Sequence, residues 1–74
     1  MGLERAGMTP RQVEVYNLMC AGRSNEDIAR RLVIEVRTVE RHITDIYEIL
    51  GLEKEISSTL KRTRAVIHYY VGVA

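Results

Sequence analysis

An all-α domain of four helices is the fold class this sequence predicts. Three observations carry the prediction. Apolar residues recur at helical spacing through most of the chain. No convincing run alternates as a strand does. Each periodic segment is bounded by its own start and stop residues. The VIHYYVGV run near the end has the composition of a strand, but it continues a helical stripe and is assigned to a helix.

The first helix starts at Thr9-Pro10-Arg11-Gln12. Thr9 caps, Pro10 suits the first helical position and Gln12 completes a capping box. Loss of the Thr9 hydroxyl should cost about 1 kcal/mol. The helix runs to about Ala21 and stops at Gly22, with Val15, Leu18 and Met19 inward and Tyr16 beside them. Ser24 caps the second helix, and Glu26 and Asp27 place negative charge at its positive end. Ile28, Ala29 and Leu32 face inward, and Arg30 and Arg31 sit near the negative end. Val33-Ile34-Glu35 forms a turn.

The third helix has the clearest pattern. At about 100° per residue, Val36, Val39, Ile43, Ile46 and Leu50 share one face. Arg37, Arg41, Thr44 and Glu48 share the opposite face, with Glu40 and Asp45 on either side of it. Thr38, His42 and Ile49 form a flank, and Gly51 ends the helix. Glu53 to Ile56 reads as a connection. Ser57 or Ser58 caps a fourth helix reaching about Val71. Leu60, Thr63, Ile67 and Val71 lie along one side of it, and Ala65, Val66, Tyr69 and Tyr70 make the rest unusually apolar.

The chain has 74 residues, which predicts a single domain over residues 8–74 behind a short tail over residues 1–7. A core of this size supplies roughly 3–5 kcal/mol unaided, so either the helices pack very well or the chain oligomerises. The net charge is +1, with one cysteine and two histidines. These counts leave no internal disulfide and no metal-ligand set, and no cofactor is expected. Phosphate-loop and nucleophile motifs are missing as well, which argues against an enzyme. No apolar run is long enough for a membrane span. Met1 to Gly7 lacks the layout of a secretion signal, so a cytoplasmic location is expected.

Two short helices joined by a tight turn form the pattern of a helix-turn-helix, whose second helix enters the major groove of DNA. The residues resemble the LuxR-type (GerE-like) DNA-binding domain of bacterial transcription regulators. Met8-Thr9-Pro10-Arg11-Gln12 is similar to that family's Leu-Thr-x-Arg-Glu opening. Gly22-Arg23-Ser24-Asn25-Glu26-Asp27-Ile28-Ala29-Arg30-Arg31-Leu32 resembles its Gly-Leu-Ser-Asn-Lys-Glu-Ile-Ala-x-x-Leu. Thr38-Val39-Glu40-Arg41-His42 looks like its Thr-Val-x-x-His, and Ile46 to Leu52 like its Ile-x-x-Lys-Leu-Gly-Val. A weaker echo of the last helix covers Arg64 to Gly72.

The resemblance implies a four-helix fold with helix three as the recognition helix, about Val36–Leu50. It also implies a last helix that often forms a dimer interface. Its base- and phosphate-contacting positions fall on Glu40, Arg41 and Thr44, with further contacts from the start of helix three. The helical wheel independently turns Arg37, Arg41 and Thr44 outward. The chain departs from the pattern in four places. Val33 replaces a glycine, Glu35 a serine cap, Glu40 a basic residue and Ile49 a lysine. An added stretch also separates Leu52 from the family-like last helix.

The expected DNA-contacting set is therefore Arg37, Thr38, Glu40, Arg41, Thr44, His42, Ser24 and Asn25. Several of these have simpler readings too. Glu40 reads as a solvated charge paired with Arg37, or as an acceptor from cytosine N4. His42 is a structural histidine on the edge of the core, or a phosphate contact. Ser24 and Asn25 are helix caps whose backbone N–H groups also suit a phosphate. Arg11, Arg23, Lys61, Arg62 and Arg64 are surface residues, the last three a cluster that suits phosphates. Cys20 is a small buried hydrophobe.

Val66, Ile67, Tyr69, Tyr70 and Val71 give helix four more apolar surface than one side can bury. Val66, Ile67, Tyr70 and Val71 are the expected homodimer seam. The partners implied are double-stranded DNA and a second copy of the chain. A rival reading makes the domain a protein-interaction module for RNA polymerase or another regulator, because acids crowd the reading face. A complete small bacterial or phage regulator and an excised C-terminal domain both fit.

Overall fold

The computed structural model describes residues 7–54 and 57–72. It contains α1 (Pro10–Cys20), α2 (Asn25–Leu32), α3 (Val36–Ile49) and α4 (Ser58–Val71). No strand occurs among the described residues. Most of the tail and part of the Glu53–Ile56 connection, residues 1–6 and 55–56, lie outside the described residues.

Helix boundaries follow local chemistry. The Thr9 hydroxyl accepts from Gln12 N–H at 3.2 Å, and Gln12 Oε1 accepts from Thr9 N–H at 2.9 Å. This reciprocal box satisfies two amide donors that the helix leaves unpaired. At the other end Gly22 takes φ +89°. Its N–H donates to Met19 O at 3.0 Å and Arg23 N–H to Leu18 O at 3.1 Å, closing a Schellman turn. Ser24 and Ser57 cap α2 and α4 through their hydroxyls, accepting from Asp27 N–H and Leu60 N–H.

The core is continuous across the helices. Val15, Tyr16, Met19 and Cys20 of α1 meet Ile28 and Ala29 of α2 and Val39, Ile43 and Ile46 of α3. Met8 and Leu52 close its ends, and α4 contributes Ala65. No polar or charged residue is fully buried among the described residues. The single cysteine, Cys20, is buried, and desolvation pushes its thiol up to about 12, against a smaller opposing pull from Arg62.

One detail differs from the wheel-based expectation. Leu18 is only half-buried, while Tyr16 lies fully inside. A phenol can be buried there because Tyr16 Oη donates to the carbonyl of Ala65 at 2.6 Å. The stripe of α4 that the spacing grouped together is the outward one: Leu60, Thr63, Ile67 and Val71 are exposed. Helix α4 instead turns Ala65, Val66 and Tyr69 toward α1. Tyr69 Oη donates to Asn17 Oδ1 and Tyr70 Oη to Cys20 O, both at 2.8 Å. The Tyr69 ring also meets the edges of Tyr16 and Tyr70, at centroid distances of 5.1 and 5.0 Å.

Candidate nucleic-acid interface

The α2–turn–α3 unit sets the direction of α3. Asp27 gathers three cations. Arg30 Nη2 lies 3.1 Å, Arg31 Nε 3.2 Å and Arg23 Nη1 3.4 Å from its carboxylate. The Arg31 hydrogen bond leads in holding the Asp27 carboxyl below its ordinary range, with the charges of the three arginines adding to it. The turn then reverses at Val33, which sits in the left-handed region at φ 56°, ψ 50°. Ile34 N–H closes it by donating to Ala29 O at 3.0 Å. A branched Cβ in this conformation costs about 1–2 kcal/mol. The Val33 side chain is 88% exposed, so burial returns nothing for that strain.

Helix α3 begins at Glu35, whose side chain makes no capping bond, as its length predicts. Val39, Ile43 and Ile46 are buried, which turns Arg37, Glu40, Arg41, Thr44 and Glu48 to solvent. Thr44 Oγ1 donates back to the Glu40 carbonyl at 3.0 Å, which ties up its hydroxyl hydrogen. The intrahelical Arg37–Glu40 pair expected from the sequence does not form. Among the described residues neither Arg37 nor Arg41 meets an acidic side chain, whereas the arginines of α2 converge on Asp27. Arg37 and Arg41 therefore stand on the outer face of α3 outside any ion pair among the described residues, with Glu40 and Glu48 on the same face.

Thr38 and His42 are half-buried on the flank. His42 Nδ1 is buried without a hydrogen-bond partner. Ser24 is exposed at the start of α2, and its Oγ accepts from Asp27 N–H at 3.1 Å. Asn25 is half-buried beside it, and its Oδ1 accepts from Arg62 Nη1 at 3.2 Å.

Arg62 corrects a sequence expectation. It reads as a surface cation, yet it is half-buried and its Nη2 also donates to Arg23 O at 3.0 Å. Nothing in the local sequence signals this, because both partners lie far away along the chain. Beside it, Lys61 Nζ stands 5.8 Å from the Tyr47 ring centroid. Burial raises the Tyr47 phenol, and the neighbouring Arg62 pulls the other way. Of the expected seam on α4, Ile67, Tyr70 and Val71 are exposed and Val66 is half-buried. Among the described residues no cluster of metal-ligating side chains exists, and no helix is long and apolar enough to cross a membrane.

The chain resembles known proteins over this same region. The profile of bacterial regulatory proteins of the luxR family matches residues 6–60. An HTH-type transcriptional regulator of Mycobacterium tuberculosis is 43% identical over 49 residues, which are 66% of this chain and 6% of the relative. One of Mycobacterium bovis matches to the same extent. Oxygen regulatory protein NreC of Staphylococcus aureus is 38% identical over 48 residues, 65% of this chain and 22% of the relative. The chain thus spans only a small part of the length of these relatives. No solved structure matches it.

Proposed function

The chain belongs to the luxR family of bacterial regulatory proteins, and we propose that it is a sequence-specific, DNA-binding transcription regulator whose α3 enters the major groove. It is a regulatory domain rather than an enzyme. One observation carries the groove reading. The outer face of α3 presents Arg37 and Arg41 without acidic partners among the described residues, next to Glu40 and Thr44, while the arginines of α2 are held by Asp27.

In this reading Arg37 and Arg41 meet guanine edges or nearby phosphates. Glu40 accepts from a cytosine amino group, and the Thr44 methyl meets a thymine. Ser24, Asn25, Thr38 and His42 hold the helix in register against the sugar-phosphate backbone. Two copies join through the exposed side of α4, with Ile67, Tyr70 and Val71 in the seam and Val66 at its edge. They read half-sites about 34 Å apart. The domain works in the bacterial cytoplasm, on a bacterial or phage promoter.

Glu40 and Glu48 share the reading face with the two arginines. They support a second reading, in which the scaffold binds RNA polymerase or another regulator in place of DNA. Selection of random duplexes with the purified chain, followed by titration of the enriched sequence at several salt concentrations, separates the two. An enriched site whose affinity falls as salt rises supports the DNA reader. No enriched sequence leaves the protein-interaction module as the function.

A further inference from the structure

Arg62 joins three parts of the molecule that meet where the reading face begins. It projects from α4, donates to Asn25 at the first turn of α2, donates to the carbonyl of Arg23 just before the Ser24 cap, and lies beside Tyr47 of α3. With Asn25, Tyr47, Glu40 and Thr44 it lines a cleft open at the edge of that face.

The chemistry of the contact fixes the orientation of Asn25. A guanidinium carries donors only, so the atom that meets Arg62 must be the amide oxygen. The Asn25 Nδ2 group then points the other way with both of its N–H donors, and none of the described residues accepts from it. Had Arg62 been absent, the amide could rotate and present its oxygen to an approaching anion. The second Arg62 bond, to Arg23 O, holds the segment that leads into the same helix end.

We propose that Arg62 is a positioning residue for nucleic-acid binding: it locks the Asn25 amide with its donors outward, ready for a backbone phosphate, and so makes the docking of α4 a condition for phosphate contact at the start of α2. The proposal rests on the DNA-binding reading above. It assigns to α4 a part in the reading head that is separate from any role in a dimer. Arg62 acts through Asn25: it is half-buried, and one donor of each terminal nitrogen is spent on Asn25 Oδ1 and Arg23 O.

The test is a double-mutant cycle on affinity for the selected duplex, with wild type, Arg62→Lys, Asn25→Ala and the double variant, each checked for folding by circular dichroism. Lysine keeps the charge but cannot bridge the two acceptors in the same geometry. Arg62→Lys and Asn25→Ala should each weaken binding roughly three- to tenfold, the scale of one hydrogen bond. The double variant should bind no worse than either single one, and Arg62→Lys should leave the salt slope unchanged. Wild-type affinity in Arg62→Lys, or single effects that multiply, would overturn the proposal.

A second measurement needs no variant. On titration of the duplex into the wild-type protein, the Asn25 side-chain amide protons should shift in the NMR spectrum while the Arg62 Nε–H signal stays in place. Unmoved amide protons would contradict the proposal. A wild-type chain that selects no duplex removes the DNA reading and this inference together, whereas a duplex that binds with a fully additive cycle removes only the inference.

Discussion

Helices α3 and α4 have the same length, 14 residues each, yet they are held to the domain in different ways. Helix α3 buries Val39, Ile43 and Ile46 and shows charge to solvent. Helix α4 buries only Ala65 fully, and it leaves Leu60, Ile67, Tyr70 and Val71 exposed. What fixes α4 is hydrogen bonding across to α1, from Tyr69 and Tyr70 on α4 and from Tyr16 on α1. Directional bonds specify one register for a helix whose apolar residues would suit several. They also leave apolar surface free, which is the property a seam between two copies needs. The reading helix is thus set by packing, and the last helix largely by hydrogen bonds, from three phenols to and from α1 and from Arg62 to Asn25 and Arg23.

Substitutions can break this contrast. The largest expected effect is on α3. Ile46→Ala empties a fully buried site and should lower unfolding free energy by about 2–5 kcal/mol, a large share of what a domain this small has. Thermal or urea unfolding followed by circular dichroism measures it. The matched change on α4, Ile67→Ala at a half-exposed position, should be far milder for the monomer fold.

Tyr16→Phe keeps the ring and removes the bond to Ala65 O. It should cost about 1 kcal/mol, partly because the Ala65 carbonyl is left without its buried donor. A loss confined to probes on α4 would sharpen the contrast. A loss as large as that of Ile46→Ala would break it, by showing that the phenols carry the whole domain.

The turn between α2 and α3 offers an opposite sign. Val33→Gly relieves about 1–2 kcal/mol of left-handed strain but adds about 0.5–1 kcal/mol of backbone entropy to the unfolded chain. A net gain of roughly 0.5–1 kcal/mol should appear as a raised unfolding temperature. An unchanged or lowered temperature would show that the added entropy of the unfolded chain matches or exceeds the strain relieved.

The smallest effect concerns pH. The folded-state pKa of Asp27 is lowered below the ordinary carboxylate value, chiefly by its hydrogen bond with Arg31. Its contribution is therefore present above that value and is lost as pH falls through the lower folded pKa. Stability measured from pH 7 down to pH 2 should show a modest acid-sensitive component that Asp27→Asn removes. A variant with the same acid profile would place that component elsewhere.

The legibility of the sequence follows the same division. Thr9 with Gln12, Ser24, Gly22 and Gly51 mark their helix ends through local bonds, so both ends of α1, the start of α2 and the end of α3 could be read directly. The two faces of α3 were equally readable, because its apolar residues keep one spacing. Helix α4 was not: apolar residues surround it, and the face that docks is chosen by Asn17, Cys20 and Tyr16 far along the chain. The stripe of Leu60, Thr63, Ile67 and Val71 consequently points outward. For Val33 a signal did exist, since it stands where the family places glycine, but only the backbone showed that the left-handed turn is kept despite the branched side chain. Of the expected contact residues, Arg37, Glu40, Arg41 and Thr44 share one exposed face, while Asn25 came with a partner, Arg62, that spacing could not reveal.

The central claim is that the outer face of α3 reads base pairs, and Arg41→Ala tests it most directly. Affinity should be measured for the selected duplex and for its single-base variants, with wild type and Arg41→Ala side by side. The account predicts binding weaker by roughly 5- to 150-fold and loss of preference at one base pair, as expected for one bidentate arginine–guanine contact. Equal affinity with every base preference intact would contradict it.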